Sequence, residues 1–217
     1  MKLTKWGPGV RLIAAELGKD ISRVTLAVED MRRRRELLIA FLQRMLETQD
    51  ATLTYEPEGA PVAGGAAAGW FVSSASREGV LVLVMARQPV GIDVEVEGEI
   101  IEPAWNVLHP AEIEQLQLDD PLVQYRNFLK IWTLKEAYVK AMRTGLTREP
   151  CAINTLEVER HLRITDAGQT HLLHSAETQI DMHTDRTMLI STITLKSPVP
   201  GTVPPEPAVL PPQHRAR

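Results

Sequence analysis

Two short stretches hold the residues best suited to chemistry. In Gly91-Ile92-Asp93-Val94-Glu95, apolar and acidic residues alternate. On a strand, Asp93 and Glu95 then share one face, about 7 Å apart along the backbone. Some forty residues later, Trp132-Thr133-Leu134-Lys135-Glu136-Ala137-Tyr138-Val139-Lys140 reads as helix, with Glu136 and Lys140 one turn apart. Three carboxylates make a hard, oxygen-only donor set of the kind Mg²⁺ takes, together with substrate phosphates and water. Adjacent lysines would suit the phosphates. Each stretch also has an ordinary explanation. D-x-E is commonly the wet face of a half-buried sheet, and an exposed Glu-Lys pair at i, i+4 contributes only about 0.3–0.5 kcal/mol. The setting argues against the ordinary reading of the helix. Lys135, Glu136 and Lys140 interrupt a heavily apolar segment, and charges buried there require partners.

The elements that must position these residues follow from periodicity. After an apolar stretch, Val10 to Leu17, Asp30 is an expected N-cap for a helix over 31–48, with Leu37, Leu38, Phe41, Leu42, Met45 and Leu46 on its inner face. Arg32 to Arg35 crowd its first turn, where the helix dipole disfavours cations; that suits a solvated end or an anion site. Residues 57–69 are rich in Pro, Gly and Ala and read as a loop. The continuous apolar run 79–86 reads as a central strand, and 90–96 as its hairpin partner across Arg87-Gln88-Pro89. Pro110-Ala111-Glu112 opens a short helix. Residues 122–142 form a long one, ended by Thr144-Gly145. Strands are expected near 155–160, 171–174 and 188–195. Seven of the 21 residues from Ser197 to Arg217 are Pro, so 197–217 reads as a flexible tail. The order of helix and then strands occurs twice, which divides the chain into halves at 1–98 and 99–196.

Composition narrows the class. The 217 residues are 44% hydrophobic and 24% charged, a balance that supports a core and a solvated surface. Aromatics are only 5%, so aliphatic residues must fill that core. A net charge of −4 argues against non-specific nucleic-acid binding. Cys151 is the single cysteine, so no intrachain disulfide forms, as expected in a reducing compartment. The first eight residues show no apolar signal-peptide core, and the longest apolar run falls far short of a membrane span. The expectation is a soluble cytoplasmic protein. His109, His161, His171, His174, His183 and His214 make no metal pattern. Gly64 to Gly69 lacks the Lys-Ser/Thr of a phosphate loop, and no Ser occupies a nucleophile elbow.

Taken together and in order, Gly91-Ile92-Asp93-Val94-Glu95, Pro110-Ala111-Glu112 and Trp132 to Ala141 resemble the 4'-phosphopantetheinyl transferase superfamily, in its surfactin-synthetase-activating type. The likeness spans roughly 32–195 and includes the basic first helix. It implies an α+β fold of two similar halves, each a helix packed on a small antiparallel sheet, with CoA in a cleft between them. It further implies that Asp93, Glu95 and Glu136 bind Mg²⁺, that Lys140 sits at the reacting phosphate, and that Lys135 and Arg35 face CoA phosphates. Glu112 matches an acid proposed as base or water-positioner. The implied reaction transfers 4'-phosphopantetheine from CoA to a serine of an acyl or peptidyl carrier protein. The implied partners are CoA and the carrier, with no nucleic acid and no membrane, and the implied state is a monomer. Two departures concern the nucleotide end of CoA: Ser76 stands where the family carries His, and Ala60 where it carries Lys. Arg143 replaces a frequent Gly. These departures define the alternative, a relative that binds a carrier protein or nucleotide without transfer. A third reading is an Mg²⁺-dependent enzyme acting on another diphosphate.

Overall fold

The computed structural model describes residues 6, 8, 10–98, 102–145, 148–183 and 186–196. The fold is α+β, with two antiparallel sheets and few helices. Strands β1 (Val10–Leu17), β2 (Ile21–Val28), β3 (Ala51–Tyr55), β4 (Pro61–Gly65), β5 (Phe71–Arg77) and β6 (Val80–Ala86) form one sheet in the order β1-β2-β6-β5-β4-β3. Strands β7 (Val90–Val96), β8 (Ile153–Asn154), β9 (Arg163–Asp166), β10 (Gln169–His183) and β11 (Arg186–Leu195) form the other, in the order β7-β11-β10-β9-β8. Helix α1 (Arg34–Met45) follows β2, while α2 (Pro110–Leu116) and α3 (Pro121–Met142) follow β7. A single turn, α4 (Val158–His161), precedes β9. The Pro-rich stretch 197–217 lies outside the described residues.

Strand β6 shows why the layers stack as they do. All seven of its residues are buried, as expected for a strand covered on both faces. Leu81, Leu83 and Met85 pack with Leu37, Leu38, Phe41 and Leu42 of α1. Val80, Val82, Val84 and Ala86 pack with Val90, Ile92, Val94 and Val96 of β7. The even-numbered side of β7 is therefore core between the sheets, and period-2 alternation turns Gly91, Asp93 and Glu95 toward α3. On that side Leu134, Ala137, Tyr138 and Ala141 of α3 pack with Ile193 and Leu195 of β11. Gly91 is required there. A Cβ at this position would lie 1.8 Å from the Ala137 carbonyl oxygen and 2.6 Å from the Ala141 nitrogen. Only a hydrogen side chain lets α3 lie this close to β7.

Several expectations need correcting. Strands β6 and β7 do not form a hairpin. β6 lies between β2 and β5, and β7 pairs with β11, Asp93 opposite Ser191. Arg87-Gln88-Pro89 carries the chain from one sheet to the other, because the two strands bury apolar faces against each other and need separate hydrogen-bonding partners. Part of the expected loop 57–69 is β4, which pairs with β3, Leu53 opposite Ala63. No strand forms over 155–160: its second half belongs to the helical turn α4 and 156–157 are turn. Asp30 does cap, its side chain accepting from the Arg32 backbone N–H at 3.1 Å, but a 3-10 turn at Met31–Arg33 comes before α1. Among the described residues no helix is long and apolar enough to cross a membrane.

Candidate functional site

Strand β7 and helix α3 bring the two chemical stretches together. Asp93 is buried, and its Oδ1 accepts from the Lys140 ammonium at 2.6 Å. Glu95 pairs with Arg77 of β5, Nε to Oε2 at 3.1 Å, and also accepts from the Trp132 side chain. Glu136 lies one turn before Lys140 and within electrostatic reach of both Lys140 and Asp93. All three carboxyls are held above their ordinary range. For Asp93 burial is the main cause, opposed by Lys140. For Glu95 burial again leads, opposed by Arg77 and reinforced by the Asp93 charge. For Glu136 burial leads, Lys140 opposes, and Asp93 adds to the rise. Three acids against Lys140 and Arg77 leave the cluster short of positive charge.

Beside this cluster is a cavity of about 250 Å³ whose wall includes Glu136 and Lys140 of α3, Ser73 and Ser74 of β5, and Arg34 of α1. Glu58, Gly59, Ala60 and Pro61, at the β3–β4 turn, line it as well, and Arg143 closes the C-terminal end of α3. Arg34 is fixed by two bonds, Nε to Ser74 Oγ and Nη2 to Ser74 O, both 3.0 Å. Arg143 ends α3 in the left-handed conformation, φ 59°, a region that costs a non-glycine residue about 1 kcal/mol or more. The expected helix end at Thr144-Gly145 thus begins one residue earlier, at a position that favours glycine.

The other residues implied by the resemblance lie elsewhere. Lys135 and Glu112 form an ion pair at 2.6 Å, with side chains 1% and 0% exposed. Glu112 caps α2 by accepting from the His109 N–H at 2.9 Å, and it accepts from both the N–H and the hydroxyl of Thr155 at 2.9 Å. Lys135 donates to the carbonyls of Val107 and Pro150. Burial lowers its pKa, against the opposing pull of Glu112. With these partners, Glu112 and Lys135 tie α2, α3 and the segments on either side of β8 together, and neither lines the cavity. Arg35 donates to the Leu53 carbonyl at 2.8 Å and is also absent from the wall. Ser76 is exposed near the end of β5, opposite Leu81. The serines on the cavity wall are Ser73 and Ser74, earlier on the same strand. Arg34, Arg77 and Arg143 were missed as site residues; Arg34 was detectable only as one of four arginines in a row.

The donor chemistry of Asp93, Glu95 and Glu136 fits a divalent cation. All are oxygen ligands, partly or fully buried, with more negative charge than their neighbours balance. Among the described residues, no three acid, His or Cys side chains are already gathered around one point. Lys140 takes Asp93 instead, so ligation by all three acids would require that ammonium to turn toward the substrate.

Residues 89–187 match the family model of the 4'-phosphopantetheinyl transferase superfamily. The matched segment holds β7, α2 and α3 whole, and with them Asp93, Glu95, Glu136 and Lys140. The chain is also 37% identical over 67 residues to the 4'-phosphopantetheinyl transferase gsp of Aneurinibacillus migulanus, a match covering 30% of this chain and 28% of that relative. The matched part therefore spans under a third of the relative's length. The resemblance read from the sequence is borne out over residues 89–187.

Proposed function

We propose, for a chain whose residues 89–187 carry the 4'-phosphopantetheinyl transferase superfamily pattern, that it transfers 4'-phosphopantetheine from CoA to a serine of an acyl or peptidyl carrier protein. In this reaction the serine Oγ attacks the β-phosphorus of the CoA pyrophosphate. A new P–O bond forms to serine, the bond to the bridging oxygen breaks, and 3',5'-ADP leaves with that oxygen. The observation that carries the reading is the meeting of Asp93 with Lys140 at 2.6 Å, beside a cavity walled by Glu136 and Lys140.

Each group has a part. Lys140, at the cavity, binds the reacting phosphate and offsets the charge that gathers on its oxygens. Asp93, Glu95 and Glu136 would hold Mg²⁺, which when bound withdraws charge from the pyrophosphate. Glu136 alone of the three acids lines the cavity. It is therefore the acid placed to receive the serine proton. Glu112 and Lys135 act by position, holding α2 against α3. The wall supplies alignment, which for a two-substrate transfer is a large share of the catalysis. We also read the protein as cytoplasmic and monomeric; light scattering of the purified chain checks the oligomeric state.

The test is mass spectrometry of apo carrier proteins incubated with CoA and Mg²⁺, beside Glu136→Gln and Lys140→Met controls. Phosphopantetheine added by the wild type and not by the controls supports the reading. CoA binding with no transfer to any of several carriers would replace it with binding alone.

A further inference from the structure

Arg143 is the least expected side chain on the cavity wall. Its backbone is left-handed, and its side chain is 8% exposed. Nη2 lies 2.9 Å from Glu56 Oε1, and Nε reaches the same carboxylate at 3.2 and 3.3 Å. Nη2 also donates to the Pro61 carbonyl at 3.1 Å. These bonds run through Nε and Nη2, and Nη1 takes no part in them. Glu56 and Pro61 flank the β3–β4 turn, which Gly59 (φ 87°) allows to close and which presents Glu58, Gly59 and Ala60 to the cavity. Gly145 meets the same turn: a Cβ there would lie 3.3 Å from the Glu58 carbonyl oxygen. The guanidinium is thus held at the seam between the end of α3 and the turn.

The partner carboxylate differs from the guanidinium in one respect. Glu56 keeps about a third of its side chain exposed and sits on a turn, so it can yield its place. Arg143 also lies three residues beyond Lys140, about 4.5 Å further along the helix axis. The cavity therefore carries two separate cation positions on one helix, Lys140 beside the acid cluster and Arg143 at the turn. Arg34 adds a third from the facing wall.

We propose that Arg143 is a specificity-determining residue: it exchanges Glu56 for the 3'-phosphomonoester of CoA, so that the cavity selects the 3'-phosphorylated nucleotide over its dephospho form. This rests on the transferase reading, in which Lys140 takes the pyrophosphate and leaves the second phosphate group to be matched by a second cation. A phosphomonoester dianion suits a guanidinium fork better than a single carboxylate does. Glu56 keeps the buried charge paired until the ligand arrives, and leaves for solvent when it does.

The experiment is calorimetric titration of the full chain with CoA and with 3'-dephospho-CoA. Wild type is compared with Arg143→Gly, Arg143→Lys and Glu56→Gln. Arg143→Gly should weaken CoA by roughly 10- to 100-fold, the loss of a charge-assisted contact, and leave dephospho-CoA within about twofold. Arg143→Lys should fall between. Glu56→Gln removes the competing anion and should tighten CoA severalfold without changing dephospho-CoA. A purely structural strut predicts otherwise, and equal losses for both ligands in Arg143→Gly, with no gain in Glu56→Gln, would overturn the proposal. Unfolding midpoints of the same samples show whether the turn has been released, and the ligand ratio in Glu56→Gln stays decisive even if Arg143→Gly folds poorly. The predicted ratios in a protein that transfers nothing to any carrier would keep this inference and refute the transferase reading. A wild type that binds neither ligand would refute both.

Discussion

The Lys135–Glu112 pair offers a direct contest between two roles. The family resemblance turns Lys135 toward CoA phosphates and makes Glu112 a base. The structure buries both and gives them each other. Replacing Lys135 with Met keeps the length of the side chain and removes its charge. The Val107 and Pro150 carbonyls then lose their donor, and Glu112 is left as an unpaired, fully buried carboxylate. Breaking a buried pair from one side costs about 3–5 kcal/mol. Glu112 would retain its bonds from His109 and Thr155, so the low end, about 3 kcal/mol, is expected. For a chain of this size that corresponds to a fall of roughly 6–12 °C in Tm. Adding Glu112→Gln removes the stranded charge, and the double variant should recover about 1–2 kcal/mol of the loss. Urea unfolding measures the stabilities, and the transfer rate per folded molecule, taken well below the variant's midpoint, measures function. The expected outcome is lost stability, with CoA affinity and rate within a few-fold of wild type. A Lys135→Met protein of wild-type stability that no longer binds CoA would refute it and return Lys135 to the ligand.

Three further outcomes follow from the same geometry. Gly91→Ala drives a Cβ into the Ala137 carbonyl oxygen at 1.8 Å; since the obstacle is helix backbone, about 3 kcal/mol of stability should be lost, and an unchanged thermal midpoint would contradict the close approach of α3. Glu136→Gln should lower kcat by about 10²–10³-fold while the unfolding midpoint of the metal-free protein stays level or rises, because a carboxyl disfavoured by burial has been neutralised; steady-state rates and urea curves check both. The pH dependence has a definite sign: burial holds Asp93 above its ordinary 3.8, and Glu95 and Glu136 above their ordinary 4.5, despite Lys140 and Arg77 facing them. Between the ordinary and the raised values the folded state binds more protons than the unfolded one. This stabilisation is complete below the ordinary values and is lost as pH rises through the raised ones. Urea midpoints of the metal-free protein should fall across that window, and a slope that survives in an Asp93→Asn/Glu95→Gln/Glu136→Gln variant would show that the three acids are not its source.

How much of this was legible in the sequence depends on the range of the forces involved. The runs 90–96 and 122–142 were readable almost to the residue, because period-2 alternation and an unbroken apolar helix face are local signals. The partner of β6 was not. Alternation identifies a strand without saying which strand it joins, and the short Arg87-Gln88-Pro89 link suggested the nearest one. Strand β4 was missed because Pro61, Gly64 and Gly65 signal a loop locally; it pairs along its length with the edge strand β3 and meets β5 only at Val62 opposite Phe71, a thinly paired position that tolerates them. Among site residues, Asp93, Glu95, Glu136 and Lys140 could be found because both motifs carry them in fixed order. Arg143 could not, since its place on the wall depends on a left-handed backbone and on a turn some 80 residues earlier. Glu112 and Lys135 are the converse case: the motif marks them as charged residues, and only the fold shows that they are buried against each other.

Gly91 belongs to the site as fully as the acids beside it. Asp93 can meet Lys140 at 2.6 Å only if α3 lies close against β7, and the tightest point of that contact is Gly91 against Ala137 and Ala141. Ala137 directly follows Glu136, and Ala141 directly follows Lys140. The residues that permit the approach are thus neighbours of the residues that use it. A side chain at Gly91 must push the helix outward by an ångström or more, carrying Glu136 and Lys140 away from Asp93 together. Gly91→Ala should therefore lose transfer activity beyond its loss of stability, and added CoA should not restore the rate, because the missing quantity is alignment between strand and helix rather than affinity. An Ala variant that, where still folded, works at the wild-type rate would show that the acids on β7 and the Glu-Lys pair on α3 do not act as one site.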